Sequence, residues 1–502
     1  MNYIINKDSG SISDRICAIN KIDRNRLDVS DFVVDYDQKA LNDFKEKLLS
    51  DKDKRFFIVG DYDCDGICAT TIIKRLFNHL GIESNYYIPS RSKEGYGLNK
   101  DIVDVALNNG FGAIICVDNG VVAYEQMKYA KDNGLQTYVI DHHEYTTQID
   151  VDGFLHPDLL DDDYHDMCGA GLCQFLASSF YQDNTNNVYG GLATLADMVS
   201  VLGYNRYLLK QMIEILNKED IIPIRYLLEG NDVSYESLSF NVIPKINAVS
   251  RLEDMLNVNY VVRYLLSDDD CLKYLNKIEE INRTRKDLTR DMSSLAMRLV
   301  NKDDDFIVVK SAVFKEGICG LIANRLMNTF NKPVLVLSET DEVLKGSGRS
   351  PANFDLYSFL YEGKDIFNAY GGHAQAVGVS LNMDRYDELK DYIHSHEVRY
   401  EDEGKDVLYI DIDELSEDVI REIENLSPYG TGFNKPFICI DGKYDKKIII
   451  KGQYPKFVIN DDIDAISFNS EFIDKDFTMM IGQLKRDNYH KNKLSFLIED
   501  LI

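Results

Sequence analysis

The stretch VGDYDCDGICAT, residues 59–70, ends an apolar run, FFIV at 56–59, with aspartates at alternate positions: Asp61, Asp63 and Asp65. Alternate residues of an extended chain share a face, so an extended reading predicts that the three carboxylates converge. Converging like charges repel, and burying them unpaired is costly. The stretch therefore predicts a buried strand that delivers acids to a cationic partner.

The segments around it repeat the pattern. FFIV precedes a helix at about 67–80, YYI (86–88) precedes one at about 99–109, AIICV (113–117) precedes one at about 121–133, and TYVI (137–140) follows. Strands alternating with helices of this length predict an α/β domain with a parallel sheet, whose ligand crevice lies beyond the carboxyl ends of the strands. Asp61, Asp63 and Asp65 follow the first strand, Asp118 follows AIICV, and Asp141, His142 and His143 follow TYVI. Three strands thus deliver carboxylate or imidazole to one edge.

Residues 262–300 lack Gly and Pro and carry an apolar stripe (Leu275, Ile278, Ile281, Leu288, Met292, Leu295, Leu299), which predicts a long helix bridging two domains. A second α/β unit follows, with FIVVKSAVF (306–314), a helix at about 317–330 and PVLVLS (333–338). From about 405 the strand-like runs FICI (437–440), KKIIIK (446–451) and FTMMIG (477–482) predict a small β-barrel or sandwich.

At 502 residues the chain is long enough for two to four domains, and its 44% apolar and 28% charged content is that of a soluble globular protein. No apolar run approaches the roughly 18 residues of a membrane span, and the start lacks a signal-peptide core. Nine cysteines form no CxxC pair; Cys64, Cys68 and Cys116 read as reduced core thiols, and a cytoplasmic location is expected. The formal charge of −28 argues against coating nucleic acid by bulk electrostatics, while leaving room for an enzyme with a few basic residues along one groove. Acid runs at 158–166, 267–270, 303–305 and 400–406 read as solvated loops.

D-x-D-x-D-G also opens a calcium loop, but the position that must be a bidentate Glu is Ile72. A helix N-cap would explain Asp65 before Ile67, yet one helix start needs one cap, so capping does not explain the set. Carboxylates with one or two imidazoles suit Mn²⁺, and their number is about what two neighbouring ions need.

GDYDCDG (60–66), VDNG (117–120), DHH (141–143) and ATLADMV (193–199) resemble the four motifs of the DHH phosphoesterase family, in order and spacing. IPSRSKEGYGL (88–98), PKINAVSRL (244–252), EGICGLIANRL (316–326), KGSGRS (345–350) and GGHAQAVG (371–378) resemble segments of its RecJ-type single-strand exonucleases, and LSPYGTGFNKPFI (426–438) resembles the opening of their OB-like domain. The resemblance implies a DHH domain at 1–255, a connecting helix at 256–300, a DHH-associated α/β domain at 301–400 and an OB-like domain at 405–502. It implies metal ligation by Asp61, Asp63, Asp65, Asp118, His142 and Asp197, with His143 near the scissile phosphate and Asp141 orienting the histidines. Arg91, Arg251, Ser347 and Arg349 are expected to hold the 5′ phosphate and nearby backbone, Tyr96 to stack on a terminal base, and His373 to lie near the site. Three positions depart from the family pattern: Ser250 stands where Gly is expected, Asn119 where Cys or a small residue is common, and Val59 where some relatives carry a ligating His.

The activity so implied is Mn²⁺-dependent 5′-to-3′ digestion of single-stranded DNA by two-metal hydrolysis, with Mg²⁺ as an alternative ion. It would release 5′ mononucleotides in repair and recombination, from a monomer working beside a single-strand-binding protein or helicase. The tail would track the strand through Lys446, Lys447, Lys451, Lys456 and Phe457. The alternatives are a phosphodiesterase of short oligonucleotides or cyclic dinucleotides and a non-catalytic replication scaffold. Residues 405–502 argue against the first and the intact acids against the second.

Overall fold

FFIV forms β1 (Phe56–Val59), with all four side chains buried. It is followed by α1 (Cys64–Leu80), β2 (Ser84–Tyr87), α2 (Lys100–Asn108), β3 (Ala113–Val117), α3 (Tyr124–Asp132), β4 (Gln136–Ile140) and β5 (Gly153–Leu155). The strands pair in parallel in the order β2-β1-β3-β4-β5. The chain leaves β1 towards one side of the sheet and returns to build β3 on the other. The crevice of such a sheet opens at this reversal, beyond the ends of β1 and β3. Asp61 and Asp118 stand there.

This computed structural model describes residues 2–91, 93–95, 97–267, 272–340, 342–400, 404–486 and 493–502. The chain divides into two units, one of residues 35–197 and 211–402 and one of residues 1–34, 198–210 and 403–502. The larger unit continues through α4 (Gly169–Ser178), α5 (Asn184–Ala196), α6 (Ile243–Arg251) and the long helix α7 (Leu272–Leu299). The long helix was expected from residue 262, but Asn259–Leu265 forms a helix of its own and residues 268–271 lie outside the described set. The predicted stripe is buried at Leu275, Ile278, Ile281 and Met292.

The second sheet of this unit is β6 (Ile307–Ser311), β7 (Val334–Glu339), β8 (Val343–Arg349), β9 (Ala369–His373) and β10 (Ala376–Asn382), in the order β9-β10-β8-β7-β6. Only β6 and β7 pair in parallel; the other three pairings are antiparallel. Helix α8 (Glu316–Phe330), between β6 and β7, packs on β7 and β8.

The smaller unit is one eight-stranded sheet to which the N-terminal strand Tyr3–Asn6 contributes, pairing in parallel with Lys405–Tyr409. Residues 1–34 were expected in the first α/β domain; this pairing places them with the C-terminal strands instead. The sequence offers little sign of it, because a parallel partner can lie at any separation in the chain. Arg206 is fully buried in this unit and donates to the backbone oxygens of Leu27 (2.8 Å), Pro428 (2.9 Å) and Leu426 (2.6 Å). Phe457, expected on a strand-tracking face, is fully buried against Tyr444 and Phe477, and Lys447, its cross-strand partner on the same face, lies over its ring (Nζ 5.9 Å from the centroid). Phe468 is an exposed aromatic of this unit, 70% accessible and packed edge-on against Tyr454.

Replacing Arg206 strands several buried carbonyls, each worth about 1–3 kcal/mol when left unpaired. Arg206→Met is expected to lower the unfolding free energy by about 3 kcal/mol or more in a urea titration. A loss under about 1 kcal/mol would contradict the assignment of these carbonyls to Arg206.

Candidate active site

The acids after β1 do converge, but not as an extended strand would bring them together. The turn is tight: Asp63 caps α1, its Oδ1 accepting the N–H of Asp65 (2.9 Å) and of Gly66 (3.2 Å), so Asp65 already lies in the first helical turn. A Cβ on Gly66 would lie 2.5 Å from the Asp61 backbone, which is why this position is Gly. Asp65, expected as a possible cap of its own helix, instead caps the start of α4. Its two oxygens accept the N–H groups of Gly169 (2.8 Å) and Ala170 (2.7 Å).

Asp118 follows β3 in the left-handed region (φ 58°), a conformation that Asp tolerates better than most residues. A Cβ on Gly169 would stand 2.6 Å from the Asp118 side chain, so α4 approaches this close only as Gly. His142 Nε2 then lies 3.3 Å from Asp118 and 3.7 Å from both Asp65 and Asp197. Three overlapping groups have ligand atoms within 4.8 Å of one another: Asp61, Asp63 and Asp118; Asp65, His142 and Asp197; and Asp118, His142 and His143.

Burial, then Asp63, pushes the Asp61 carboxyl well above the usual range; burial, then Asp65 and Asp63, does the same to Asp118 and raises Asp197 to about 8. Burial also works to raise Asp141. Its hydrogen bond with His143 (Nδ1 to Oδ1, 2.7 Å) and the N–H of Val121 (2.9 Å) nonetheless hold it below the usual range. Burial works to lower His143, and Asp141 overrides it, lifting the imidazole to about 9. His156, which the sequence reading missed, is buried with Nε2 3.1 Å from the His143 backbone oxygen. It steadies the DHH segment from β5, and no spacing motif marks it.

Beside the acids lies a cluster of arginines. Arg251, at the end of α6, donates Nη1 to the Gly317 oxygen (3.2 Å) at the start of α8. Burial, then Arg91, Arg285 and Arg349, lowers its guanidinium to about 10. Arg91 stacks over Tyr62 (5.2 Å), and its N–H donates to Glu253 (2.6 Å). Ser347 and Arg349 share one face of β8, and a Cβ on Gly320 of α8 would meet Arg349 Nη2 at 3.1 Å and Ser347 Oγ at 3.6 Å. A cavity of about 220 Å³ opens between Arg91, Arg251 and Lys315, with Glu253, Asp254 and Glu316 also on its wall.

The three departures are each accommodated. Asn119 Nδ2 donates to the oxygens of Val59 (3.1 Å) and Val117 (2.9 Å), tying β1 to β3; Val59 itself is buried in the sheet; and Ser250 Oγ donates back to Asn247 (3.3 Å) within α6. His373 is exposed on the edge strand, across from Ala376, which in turn faces Arg349. At about 4.8 Å per strand it lies roughly 10 Å from Arg349 in the sheet, outside the acid cluster. Tyr96 lies outside the described residues.

Known proteins share this arrangement of domains. The DHH family N-terminal domain matches residues 55–201, the DHHA1 domain residues 303–396 and the RecJ OB domain residues 408–500. The single-stranded-DNA-specific exonuclease RecJ of Bacillus subtilis is 27% identical over 471 residues, spanning 88% of this chain and 60% of the relative. That of Thermus thermophilus is 27% identical over 78% of this chain and 59% of its own length. The chain is a RecJ-like member of the DHH family.

It spans about 60% of the length of these curated relatives. The crystal structure of Thermus thermophilus RecJ in complex with Mn²⁺ superposes with a TM-score of 0.83, at 21% identity, over 100% of this chain and 79% of that one. A crystal structure of exonuclease RecJ bound to manganese matches with a TM-score of 0.61, at 26% identity, over 71% of this chain and 93% of that one.

The raised groups give this DHH chain a pH signature. Asp197 binds its proton more tightly folded (about 8) than unfolded, so folding loses stability as pH rises towards 8. His143 is likewise raised, from 6.5 to about 9; its contribution is complete below 6.5 and lost as pH rises through 9. Both act in the same direction. In excess chelator the thermal unfolding midpoint is expected to fall steadily from pH 6.5 to 9. A midpoint that is flat or rises over that window would contradict the packing of uncompensated carboxylates.

Proposed function

We propose that this chain is a divalent-metal-dependent nuclease that digests single-stranded DNA from the 5′ end to 5′ mononucleotides, with Mn²⁺ as the ion, in repair and recombination. The observation that carries the reading is the adjacency of the two clusters. Arg91 is near enough to act on the Asp61 carboxyl, and Asp63 is near enough to act on the Arg251 guanidinium.

The residues suit a metal. Asp61 Oδ1 is buried and accepts no hydrogen bond among the described residues, and an oxygen-and-imidazole donor set is one that Mn²⁺ takes. Asp61, Asp63 and Asp118 would hold one ion, and Asp65, His142 and Asp197 another. When bound, such cations supply Lewis acidity and offset the charge that builds on the phosphate oxygens. The protein's own groups do the rest. Asp141 holds His143 charged through Nδ1, so donation to a phosphate oxygen falls to Nε2. Arg91, Arg251, Arg349 and Ser347 would grip the terminal phosphate, and planar guanidiniums bind its oxygens in pairs. In the smaller unit, Phe468 and Tyr454 offer a stacking surface close in sequence to Lys451 and Lys456.

Digestion of end-labelled single strands with Mn²⁺ tests the reading. Mononucleotides are expected from the 5′ end, no cleavage with Asp118→Ala, and with Arg349→Ala a roughly tenfold smaller preference for 5′-phosphate over 5′-hydroxyl strands, the effect of removing one charge-assisted hydrogen bond. Digestion from the 3′ end, or an intact preference in Arg349→Ala, would overturn it.

A further inference from the structure

The arginine cluster contains one member that no sequence motif marks. Arg285 lies in the middle of the connecting helix α7, which packs against α6 and α8, the helices that meet at Arg251 and Gly317. It is near enough to Arg251 to act on its charge.

What sets it apart is a guanidinium that is partly buried rather than solvated. Two exposed cations of the same helix have carboxylate partners: Lys277 with Glu280 (3.0 Å) and Arg290 with Asp287 (3.1 Å) and Asp291 (3.0 Å). Arg285 has no ion pair among the described residues, although acids outnumber bases by 84 to 56. Among the described residues its buried Nε has no acceptor, and one turn back the Oδ1 of the 4%-exposed Asn282 has no donor. A half-buried guanidinium within electrostatic reach of a second one, with an unused buried donor, is costly unless an anion joins them.

We propose that Arg285 is a fourth arginine of this pocket and binds a backbone phosphate of the strand, so that the connecting helix contacts the substrate directly. This rests on the single-strand nuclease reading above and extends it to a substrate-binding residue on α7. The competing explanation is structural: an ordered water fills the seam between Arg285 and Asn282, and the side chain contributes only to packing.

Salt dependence separates the two. Binding of a 3′-fluorescein, 5′-phosphorylated oligothymidylate to the full chain is followed by anisotropy in excess chelator across a NaCl series. The proteins are wild type, Arg285→Gln, Arg285→Lys and Arg349→Gln. Each single-strand phosphate that the protein no longer neutralises flattens the slope of log affinity against log salt by about 0.7. Arg285→Gln is expected to weaken binding roughly tenfold at low salt and to flatten the slope by about that amount, while Arg285→Lys keeps the wild-type slope. A packing role would shift the unfolding midpoint of Arg285→Gln and leave slope and affinity unchanged, which overturns the proposal. Loss of binding in Arg349→Gln but not in Arg285→Gln overturns the role of Arg285 alone. A wild type that binds no strand in chelator and also none with Ca²⁺ supplied overturns the nuclease reading with it.

Discussion

The structure depends on one unfavourable arrangement: five aspartates brought to the ends of β1 and β3 with a histidine between them. Carboxylates packed this closely raise one another's pKa, and burial adds to the effect. A fold keeps such a cluster only if something else offsets the repulsion. Here the backbone offsets part of it, through N–H donors at the starts of α1 and α4. The remaining repulsion is what makes the cluster a receptor for cations.

Several features make sense only as support for that cluster. Gly66 and Gly169 let two helices start against acid-bearing segments, and Asn119 laces β1 to β3 at the level of the acids. Asp141 differs from Asp61, Asp63, Asp118 and Asp197: its carboxyl is held below the usual range and its oxygens accept from His142, His143 and Val121. Its bonds go to both histidines of the DHH segment, and it is absent from the groups whose geometry suits a metal.

Much of the first sheet was legible because a buried parallel strand is a short apolar run and the acids stand at its end. The reason for their convergence was not legible. Asp63 and Asp65 were read as alternating on a strand, whereas a tight turn makes Asp63 a cap and turns Asp65 towards a helix a hundred residues on. The arginines carried by motifs were found and Arg285 was not, since an amphipathic helix with scattered basic residues looks alike whether they face solvent or a pocket. The N-terminal strand was misplaced because its partner, Lys405–Tyr409, lies at the far end of the chain. Phe457 was misread because alternation alone does not say which face of a strand is buried.

The most direct test is to locate the ions. Crystals of the chain soaked in Mn²⁺, with anomalous differences collected at the manganese edge, are expected to show density bonded to Asp61, Asp63 and Asp118, and to Asp65, His142 and Asp197. An anomalous map with no peak among these residues, or with manganese bound only elsewhere on this acidic surface, would contradict the account.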